Sequence, residues 1–324
     1  MEKRPLIILT GPTAVGKTAL SIGLAKAVGG EIISADSMQV YRQMDIGTAK
    51  IRPDQMQGVP HYLIDELDPS EEFNVMLFQQ KCRQYMEEIY ERGHIPILVG
   101  GTGFYIQSVL YDIDFGKQDT DGAYREELTR YAAEHGSEAL HDLLKKVDPV
   151  TAKSVHHHNV KRVIRALEFY HETGQTLSSH NAEQHERTSP YNFRYYVLCL
   201  PRELLYERIE QRVDQMRQEG LVDEVAALKE QGCHRGMVSM QGLGYKEILD
   251  ALDGNCSMEE AFDTIKKETR HFAKRQMTWF RREKEVCWVD KSRFGREEQL
   301  LEWCIQDLKE HHCIEEGGHS ERDE

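Results

Sequence analysis

The stretch that decides the fold is Leu6-Ile7-Ile8-Leu9, followed closely by Gly11-Pro12-Thr13-Ala14-Val15-Gly16-Lys17-Thr18. The four apolar residues predict a short buried strand, and the periodic apolar residues 19–25 predict a helix directly after the glycine-bearing segment. A G-x-x-x-x-G-K-T segment between a strand and a helix is the signature of a phosphate-binding loop. Backbone N–H groups and the positive end of the helix would bind a diphosphate there. Lys17 would contact the outer phosphate oxygens, and the Thr18 hydroxyl would bind Mg²⁺.

Further short apolar runs alternate with helical patterns, which predicts a doubly wound, parallel α/β sheet. The predicted strands lie at residues 31–37, 61–65, 95–99, 195–200 and 286–289. The longer helices predicted in this part of the chain cover residues 73–92, 204–231, 258–284 and 297–309. Because the carboxyl ends of parallel strands line one crevice, Asp36 is expected to face the same crevice as Lys17.

The middle of the chain has a different character, because residues 114–190 contain charged helical patterns and no strand-like run. We interpret this region as a helical insertion whose last part, residues 174–190, is polar and rich in turns. The predicted organisation is a phosphate-loop catalytic core at 1–113 and 191–312, the helical insertion at 114–190, and an acidic disordered tail at 313–324.

Composition restricts the class of protein. A chain of 324 residues with 40% hydrophobic and 30% charged residues is long enough for a large core, and no run approaches the length of a membrane span. The apolar run near the N-terminus is too short for a signal peptide, and seven scattered cysteines form no Cys-x-x-Cys pair. We therefore expect a cytoplasmic protein without membrane association and, since nothing demands an oligomer, a monomer.

The net charge of −14 would argue against a nucleic-acid partner if it were evenly spread. Residues 264–284, however, contain eight Lys and Arg residues against two Glu residues, a net charge of +6. Residues 160–165 add a second basic patch with no acidic residue. The aromatic residues of the first patch suit stacking on unpaired bases. A solvated helix face is the alternative interpretation, and charge alone favours it.

Several residues are candidates for chemistry, each with an alternative. Asp36 is a general base or a carboxylate that helps to hold Mg²⁺, and a structural cap is the alternative. The strand end at Gly100–Gly103 lacks the acidic residue of a nucleotide hydrolase and suggests the close approach of a ligand. Residues 241–246 form either a plain turn or a glycine loop around a nucleotide. Arg208 and Arg212, four residues apart, either pair with surface acids or clamp a diphosphate.

These motifs together resemble the tRNA dimethylallyltransferases, also called isopentenyl-tRNA transferases, over nearly the full folded length. The most specific parts are Asp45-Ile46-Gly47-Thr48-Ala49-Lys50 and Lys274-Arg275-Gln276-Met277-Thr278-Trp279. The resemblance also covers Gly11–Thr18, residues 34–41, 100–105, 159–168 and 241–246. Some eukaryotic members of this family carry a C-terminal zinc finger. Since this sequence has none, the resemblance is to the bacterial type.

The resemblance implies that the phosphate loop holds the diphosphate of dimethylallyl diphosphate and that the acceptor is N6 of the adenosine immediately 3′ of the anticodon, tRNA position 37. It implies Asp36 as the general base, and Lys17, Thr18 and Arg212 as the residues that hold the diphosphate with Mg²⁺. Thr102 and Arg125 would flank the site, and the insertion would grip the anticodon stem-loop.

The residues expected to contact tRNA come from five parts of the chain that the resemblance implies and from the basic helix. They are Asp36, Ser37, Met38, Gln39, Thr102, Arg125, Lys161, Arg162, Val163, Ile164, Arg165, Gln241, Gly242, Leu243, Gly244, Tyr245, Lys246, Arg270, Lys274 and Arg275.

Three other functions share parts of this pattern. A phosphate-loop kinase of a nucleotide or small alcohol would use the same sheet, Lys17 and Asp36, but would not need the basic helix. A prenyltransferase of free adenine nucleotides would not need an RNA-gripping insertion. A non-catalytic RNA-binding module would not need Lys17, Thr18 and Asp36 together.

Overall fold

The structure, a computed structural model, describes residues 3–115 and 122–314. Its centre is a sheet of six parallel strands in the order β3-β2-β4-β1-β5-β6. The strands are β1 (Pro5–Thr10), β2 (Gly30–Ala35), β3 (His61–Tyr62), β4 (Ile95–Gly100), β5 (Asn192–Cys199) and β6 (Val286–Asp290). This arrangement confirms the predicted α/β class with one parallel sheet.

The strands are buried because helices cover them, and Leu6, Ile7, Ile8 and Leu9 are fully inaccessible to solvent. In the register of the sheet, Thr10 of β1 and Ala35 of β2 both lie beside Gly100 of β4. The segments that follow these three strands therefore leave the sheet side by side at one edge. This edge carries the phosphate loop and Asp36.

The chain divides into two compact units, of which the first comprises Met1–Leu110 and Pro190–Glu324. Its helices before the division are α1 (Lys17–Val28), α2 (Pro53–Met56), α3 (Val75–Glu91) and α4 (Gly103–Leu110). Those after it are α10 (Arg202–Glu219), α11 (Leu221–Glu230), α12 (Tyr245–Leu252), α13 (Met258–Phe280) and α14 (Glu297–Glu310).

The second unit, Tyr111–Ser189, contains helices and no strand within its described residues. They are α5 (Ala123–His135), α6 (Ser137–Val147), α7 (Pro149–Ser154), α8 (Val160–Thr173) and α9 (Leu177–Glu186). Leucines of α5 and α6 pack against apolar residues of α8 to form a separate small core. The unit therefore has its own hydrophobic interior.

Two predictions of secondary structure, for residues 174–190 and 204–231, were wrong. Residues 174–190 are not only turns, because Thr176 caps α9 by accepting a hydrogen bond from the Ser179 N–H. The long helix predicted at residues 204–231 is broken at Gly220, whose φ of 99° is left-handed and ends α10. The break allows α11 to take its own direction.

The predicted tail begins with an ordered residue, since Cys313 is buried in the core of the first unit. The rest of the predicted acidic tail, from residue 315 onward, lies outside the described residues. Across residues 3–115 and 122–314, none of the helices has the length and apolar character needed to cross a membrane.

Candidate active site

The phosphate loop connects β1 to α1 at the carboxyl edge of the sheet. Gly16 precedes the first residue of α1 with a φ of 91°, a left-handed conformation that glycine adopts without strain. No acidic residue occupies the first turn of α1, so the positive end of this helix is not neutralised from within the helix. The unpaired N–H groups of this turn therefore form a site suited to an anion.

Lys17 lies folded against its own loop, and its Nζ donates to the carbonyl oxygens of Gly11 and Pro12, each at 3.0 Å. Burial and the charge of Arg212 lower the pKa of Lys17 to about 8, while Asp36 acts in the opposite direction. Burial also lowers the pKa of Arg212, against the influence of Asp36. Two cations and one carboxylate therefore share this edge, which leaves it positive.

Asp36 follows β2 directly and is held by the turn that comes after it. Its Oδ1 accepts hydrogen bonds from the backbone N–H groups of Met38 at 2.9 Å and Gln39 at 3.4 Å. Its Oδ2 has no hydrogen-bond partner within residues 3–115 and 122–314. One oxygen thus fixes the orientation of the carboxylate while the other is available to accept a proton.

The end of β4 shows that its glycines serve the protein's own packing. A Cβ at Gly100 would collide with the carbonyl of Ala35, and one at Gly101 or Gly103 would collide with Gln276 or Trp279 of α13. At these three positions the protein's own atoms make the close approach, which accounts for the glycines without a ligand. Thr102 lies between them, half-buried, and donates its backbone N–H to the Ala35 carbonyl at 3.1 Å.

Gln276 connects the phosphate loop to this strand end. Its Oε1 accepts the Thr13 N–H at 2.9 Å, and its Nε2 donates to the Gly101 carbonyl at 3.0 Å. The side chain is only 6% exposed, so water competes little for these bonds. Sequence reasoning missed this role, although the glutamine stands inside the quoted Lys-Arg-Gln-x-Thr-Trp motif.

Glu224 of α11 anchors the Asp-Ile-Gly-Thr-Ala-Lys segment, another role that the sequence did not reveal. Its carboxylate accepts three backbone N–H groups, from Asp45 at 2.9 Å, Ile46 at 2.7 Å and Gly47 at 3.1 Å. It also accepts the Tyr245 hydroxyl at 2.6 Å. One carboxylate therefore joins this segment to the 241–246 loop.

The side chain of Tyr245 is fully buried in that arrangement. The prediction that it contacts tRNA is therefore wrong for the side chain. Next to it, Gln241 is exposed, whereas Leu243 and Lys246 are half-buried. These three remain the side chains of the loop that a macromolecule could reach.

The outer surface of α13 forms an open groove with a volume of about 390 Å³. Its lining residues are His271, Lys274, Arg275, Thr278, Trp279 and Arg282. Lys274 and Arg275 are exposed, whereas Arg270 is half-buried and pairs with Glu210 at 2.7 Å. The groove therefore presents cations that the fold does not bury.

The aromatic residues of α13 are not all available for stacking. Phe280 is fully buried, and Trp279 packs edge-on against Phe104 with ring centroids 6.1 Å apart. Phe280 is therefore a core residue, which is the alternative that the sequence left open for it and for Trp279. His271 is exposed and Phe272 is half-buried, so these rings remain accessible among the cations.

The helical unit contains the remaining predicted residues. Arg125 forms two hydrogen bonds with the Glu168 carboxylate, at 2.7 and 2.8 Å. Val163 and Ile164 are buried in the core of this unit, so their side chains cannot contact tRNA, which corrects the prediction. Lys161 and Arg162 are exposed on the opposite side of α8, and Arg165 is half-buried.

The oxygen ligands that Mg²⁺ prefers are present at the sheet edge. The Thr18 side chain is exposed at the start of α1, and Asp36 contributes a carboxylate to the same edge. Hydroxyl and carboxylate oxygens beside a diphosphate are a usual magnesium environment, because Mg²⁺ retains several waters and takes few protein ligands. The donors present therefore fit the ion.

Two family profiles match the chain. The profile described as IPP transferase matches residues 39–283, and the one described as isopentenyl transferase matches residues 5–72. A tRNA dimethylallyltransferase of Lachnoclostridium phytofermentans is 56% identical over 96% of this chain and 99% of the relative. One from Halalkalibacterium halodurans is 48% identical over 93% of this chain and 95% of the relative.

Solved structures similar to this chain are also prenyl-transferring enzymes by their descriptions. The full-length tRNA isopentenylpyrophosphate transferase of Bacillus halodurans superposes with a TM-score of 0.70 at 46% identity, covering 96% of this chain and 98% of the other. A eukaryotic dimethylallyltransferase, described in crystallographic snapshots as acting on tRNA, gives a TM-score of 0.82 at 29% identity. In that case, 96% of this chain and 80% of the other are covered.

Proposed function

This chain belongs to the IPP transferase family, and on that premise we propose how its residues carry out the transfer of a dimethylallyl group from dimethylallyl diphosphate to tRNA. The enzyme is a prenyltransferase, as its curated relatives and structural neighbours are. The acceptor atom is N6 of the adenosine immediately 3′ of the anticodon, at position 37. The observation that carries the proposal is the oriented Asp36 carboxylate, within electrostatic range of Lys17 and Arg212.

Asp36 acts as the general base. The adenine N6 lone pair is delocalised into the ring, so the amine is a weak nucleophile unless its proton is removed as the new bond forms. The N6–C1 bond forms while the C1–O bond of the allylic diphosphate breaks, and the electron pair of that bond leaves with the diphosphate. Oδ2 of Asp36 accepts the N6 proton, a contribution of about 10²- to 10⁴-fold to the rate.

The phosphate loop stabilises the leaving diphosphate. The residues that bind it are Gly11, Pro12, Thr13, Ala14, Val15, Gly16, Lys17, Thr18 and Arg212. Lys17 exchanges its two carbonyl partners for phosphate oxygens, and Arg212 supplies a second cation. Donors fixed in place before the reaction favour the charge that develops on the leaving group. Mg²⁺, held through Thr18, supplies further neutralisation of the diphosphate when it is bound.

The basic groove on α13 binds the RNA. Lys274 and Arg275 lie exposed there, and a phosphate backbone would exchange its counterions for them. The target base must leave its stack to reach Asp36, which costs about a few kcal/mol and less in a loop than in a duplex. Cations that hold the flanking phosphates offset that cost. The helical unit, with Lys161 and Arg162 exposed, adds contacts to the anticodon stem-loop.

A kinase is the second candidate from the sequence, and the structure offers less for it. In phosphate-loop NTPases, an acidic residue helps to hold Mg²⁺, but the end of β4 has glycines packed against α13 instead. A kinase also has no use for the basic groove. The family relationship favours prenyl transfer over this alternative.

The direct test is incubation of the enzyme with unmodified tRNA, Mg²⁺ and radiolabelled dimethylallyl diphosphate, with AMP and ATP in a parallel reaction. Label should appear in acid-precipitated RNA and, after digestion, in a nucleoside derived from the adenosine 3′ of the anticodon. A tRNA carrying guanosine at that position is the matched control and should remain unlabelled. Label in AMP alone, or phosphate transfer from ATP, would contradict the proposal.

A further inference from the structure

Two cations outside the phosphate loop lie close to its glycine at position 16. The Nζ of Lys291, just after β6, lies 2.8 Å from the position that a Cβ of Gly16 would occupy, and Nη1 of Arg208 lies 3.9 Å from it. Neither residue belongs to the loop, and they approach it from different elements, β6 and α10. Two cations from outside the phosphate loop therefore lie beside it at Gly16.

The two cations differ in how they are neutralised. Lys291 donates to the Gly16 carbonyl at 3.2 Å and pairs with Glu297 at 2.7 Å, and its side chain is only 9% exposed. It is a structural support for the loop. Arg208 is exposed, and it has no hydrogen-bond or ion-pair partner among residues 3–115 and 122–314. Its charge is therefore available to a ligand.

The acids nearest to Arg208 on α10 are engaged elsewhere. Glu210 pairs with Arg270 at 2.7 Å, and Asp214 pairs with Lys266 at 2.6 Å, so both neutralise cations of α13. Glu207 accepts a hydrogen bond from Gln211 at 3.2 Å. The positions three and four residues from Arg208 are Leu204, Leu205, Gln211 and Arg212, so α10 itself offers this arginine no acid at pairing distance.

Arg212 lies one helical turn further along α10, and it shares the electrostatic environment of Lys17 and Asp36. Residues four apart lie on the same face of a helix. Arg208 and Arg212 therefore form a short ladder of guanidinium groups that runs beside the phosphate loop. A diphosphate has two phosphate groups, and planar guanidinium groups bind phosphate oxygens through paired N–H donors.

We propose that Arg208 binds the outer phosphate of the prenyl diphosphate, beside Gly16, as a second arginine in addition to Arg212. This inference rests on the proposed placement of the diphosphate in the phosphate loop. Arg208 serves the donor substrate and not the tRNA. Its removal should therefore change recognition of the diphosphate while it leaves the affinity for RNA unchanged.

The test measures the KM for dimethylallyl diphosphate at saturating tRNA, the inhibition constant of inorganic pyrophosphate, and the dissociation constant of unmodified tRNA. Arg208→Ala should raise both diphosphate constants by about tenfold, the weight of a charged contact with phosphate, and Arg208→Lys should recover part of the loss. The control is Arg217→Ala on the same helix, which removes the same charge from a residue paired with Glu259.

The results distinguish the role of Arg208 from the placement of the diphosphate in the phosphate loop, on which that role depends. If Lys17→Ala also leaves pyrophosphate inhibition unchanged, the diphosphate does not lie in the phosphate loop and the proposed function loses its donor site. If Lys17→Ala abolishes inhibition while Arg208→Ala behaves like Arg217→Ala, only the assignment of Arg208 is overturned. An equal loss of tRNA affinity in Arg208→Ala would place the residue in the RNA interface and would likewise overturn the assignment.

Discussion

The two faces of α13 differ in their contacts: one is buried against the phosphate loop and the other is exposed to solvent. The inner face inserts Gln276 between the phosphate loop and the end of β4, where its amide makes two hydrogen bonds in a buried setting. The outer face presents Lys274 and Arg275 to solvent along a basic groove. A single helix therefore contacts both the phosphate loop and the basic groove, and substitutions on its two faces should have separable effects. Substitution of Asp36, at the sheet edge, should likewise have effects that differ from those of substitutions in the groove.

The largest effect is expected at the carboxylate. Asp36→Asn keeps the Oδ1 acceptor for the Met38 N–H but removes the base, so the single-turnover rate of prenyl transfer should fall by about 10²- to 10⁴-fold. The affinity for tRNA, measured by filter binding, should stay unchanged. A variant that loses tRNA binding but transfers the prenyl group at the normal rate would place Asp36 in the RNA interface instead.

The inner face of α13 comes next. Gln276→Leu leaves the Thr13 N–H without its acceptor, so the free energy of unfolding should fall by about 1 to 3 kcal/mol in a denaturant titration. The KM for dimethylallyl diphosphate should rise because the phosphate loop is no longer held. Gln276→Glu retains the acceptor for Thr13 but sets a buried carboxylate oxygen against the Gly101 carbonyl, so at neutral pH it should lose at least as much stability. If the leucine variant raised only the dissociation constant of tRNA, the two faces would not be distinct.

The pH dependence of kcat/KM tests the role of the Lys17 ammonium group. Its pKa of about 8 means that the ammonium form, which binds phosphate, is lost as the pH rises through this value. At saturating tRNA, kcat/KM for dimethylallyl diphosphate should be lost above about pH 8, with a limiting decrease of about tenfold per pH unit. Lys17→Arg should lack this alkaline decrease, since arginine stays protonated. An identical profile in both enzymes would assign the titration to another group.

The smallest effect is expected on the outer face. Lys274→Ala should weaken tRNA binding by about two- to fivefold, the weight of one exposed ionic contact. The slope of the logarithm of the binding constant against the logarithm of the salt concentration should become shallower by about one unit. Thr278→Ala, which changes the same groove without a change in charge, is the matched control. A slope that matches the wild type would remove Lys274 from the interface.

The sequence predicted the sheet because local pattern determines it: continuous apolar runs alternate with helical periods, and a glycine-bearing loop follows the first strand. It also predicted that Lys17 and Asp36 lie at one edge of the sheet, since segments that follow parallel strands leave the sheet side by side. It could not reveal Gln276 or Glu224, because their partners are backbone N–H groups far away in the chain. These are tertiary contacts that leave no periodic signal.

Runs of neighbouring residues were predicted to contact tRNA as a whole, although successive residues of a helix face different directions. The prediction assigned Val163 and Ile164 to the RNA with their basic neighbours, although the helical period turns them into the core. In the same way, the glycines at the end of β4 indicated close approach, but only the structure shows that the approaching groups are Ala35 and α13. Composition signals close packing without identifying the packing partner.

We propose that chemistry and RNA binding are separable on this fold, and a double-mutant cycle of Asp36→Asn with Lys274→Ala measures this separation. The measurements are the single-turnover rate at saturating tRNA and the dissociation constant of tRNA for all four enzymes. The double variant should have the rate of Asp36→Asn and the tRNA affinity of Lys274→Ala. A further loss of rate caused by Lys274→Ala at saturating tRNA would contradict it.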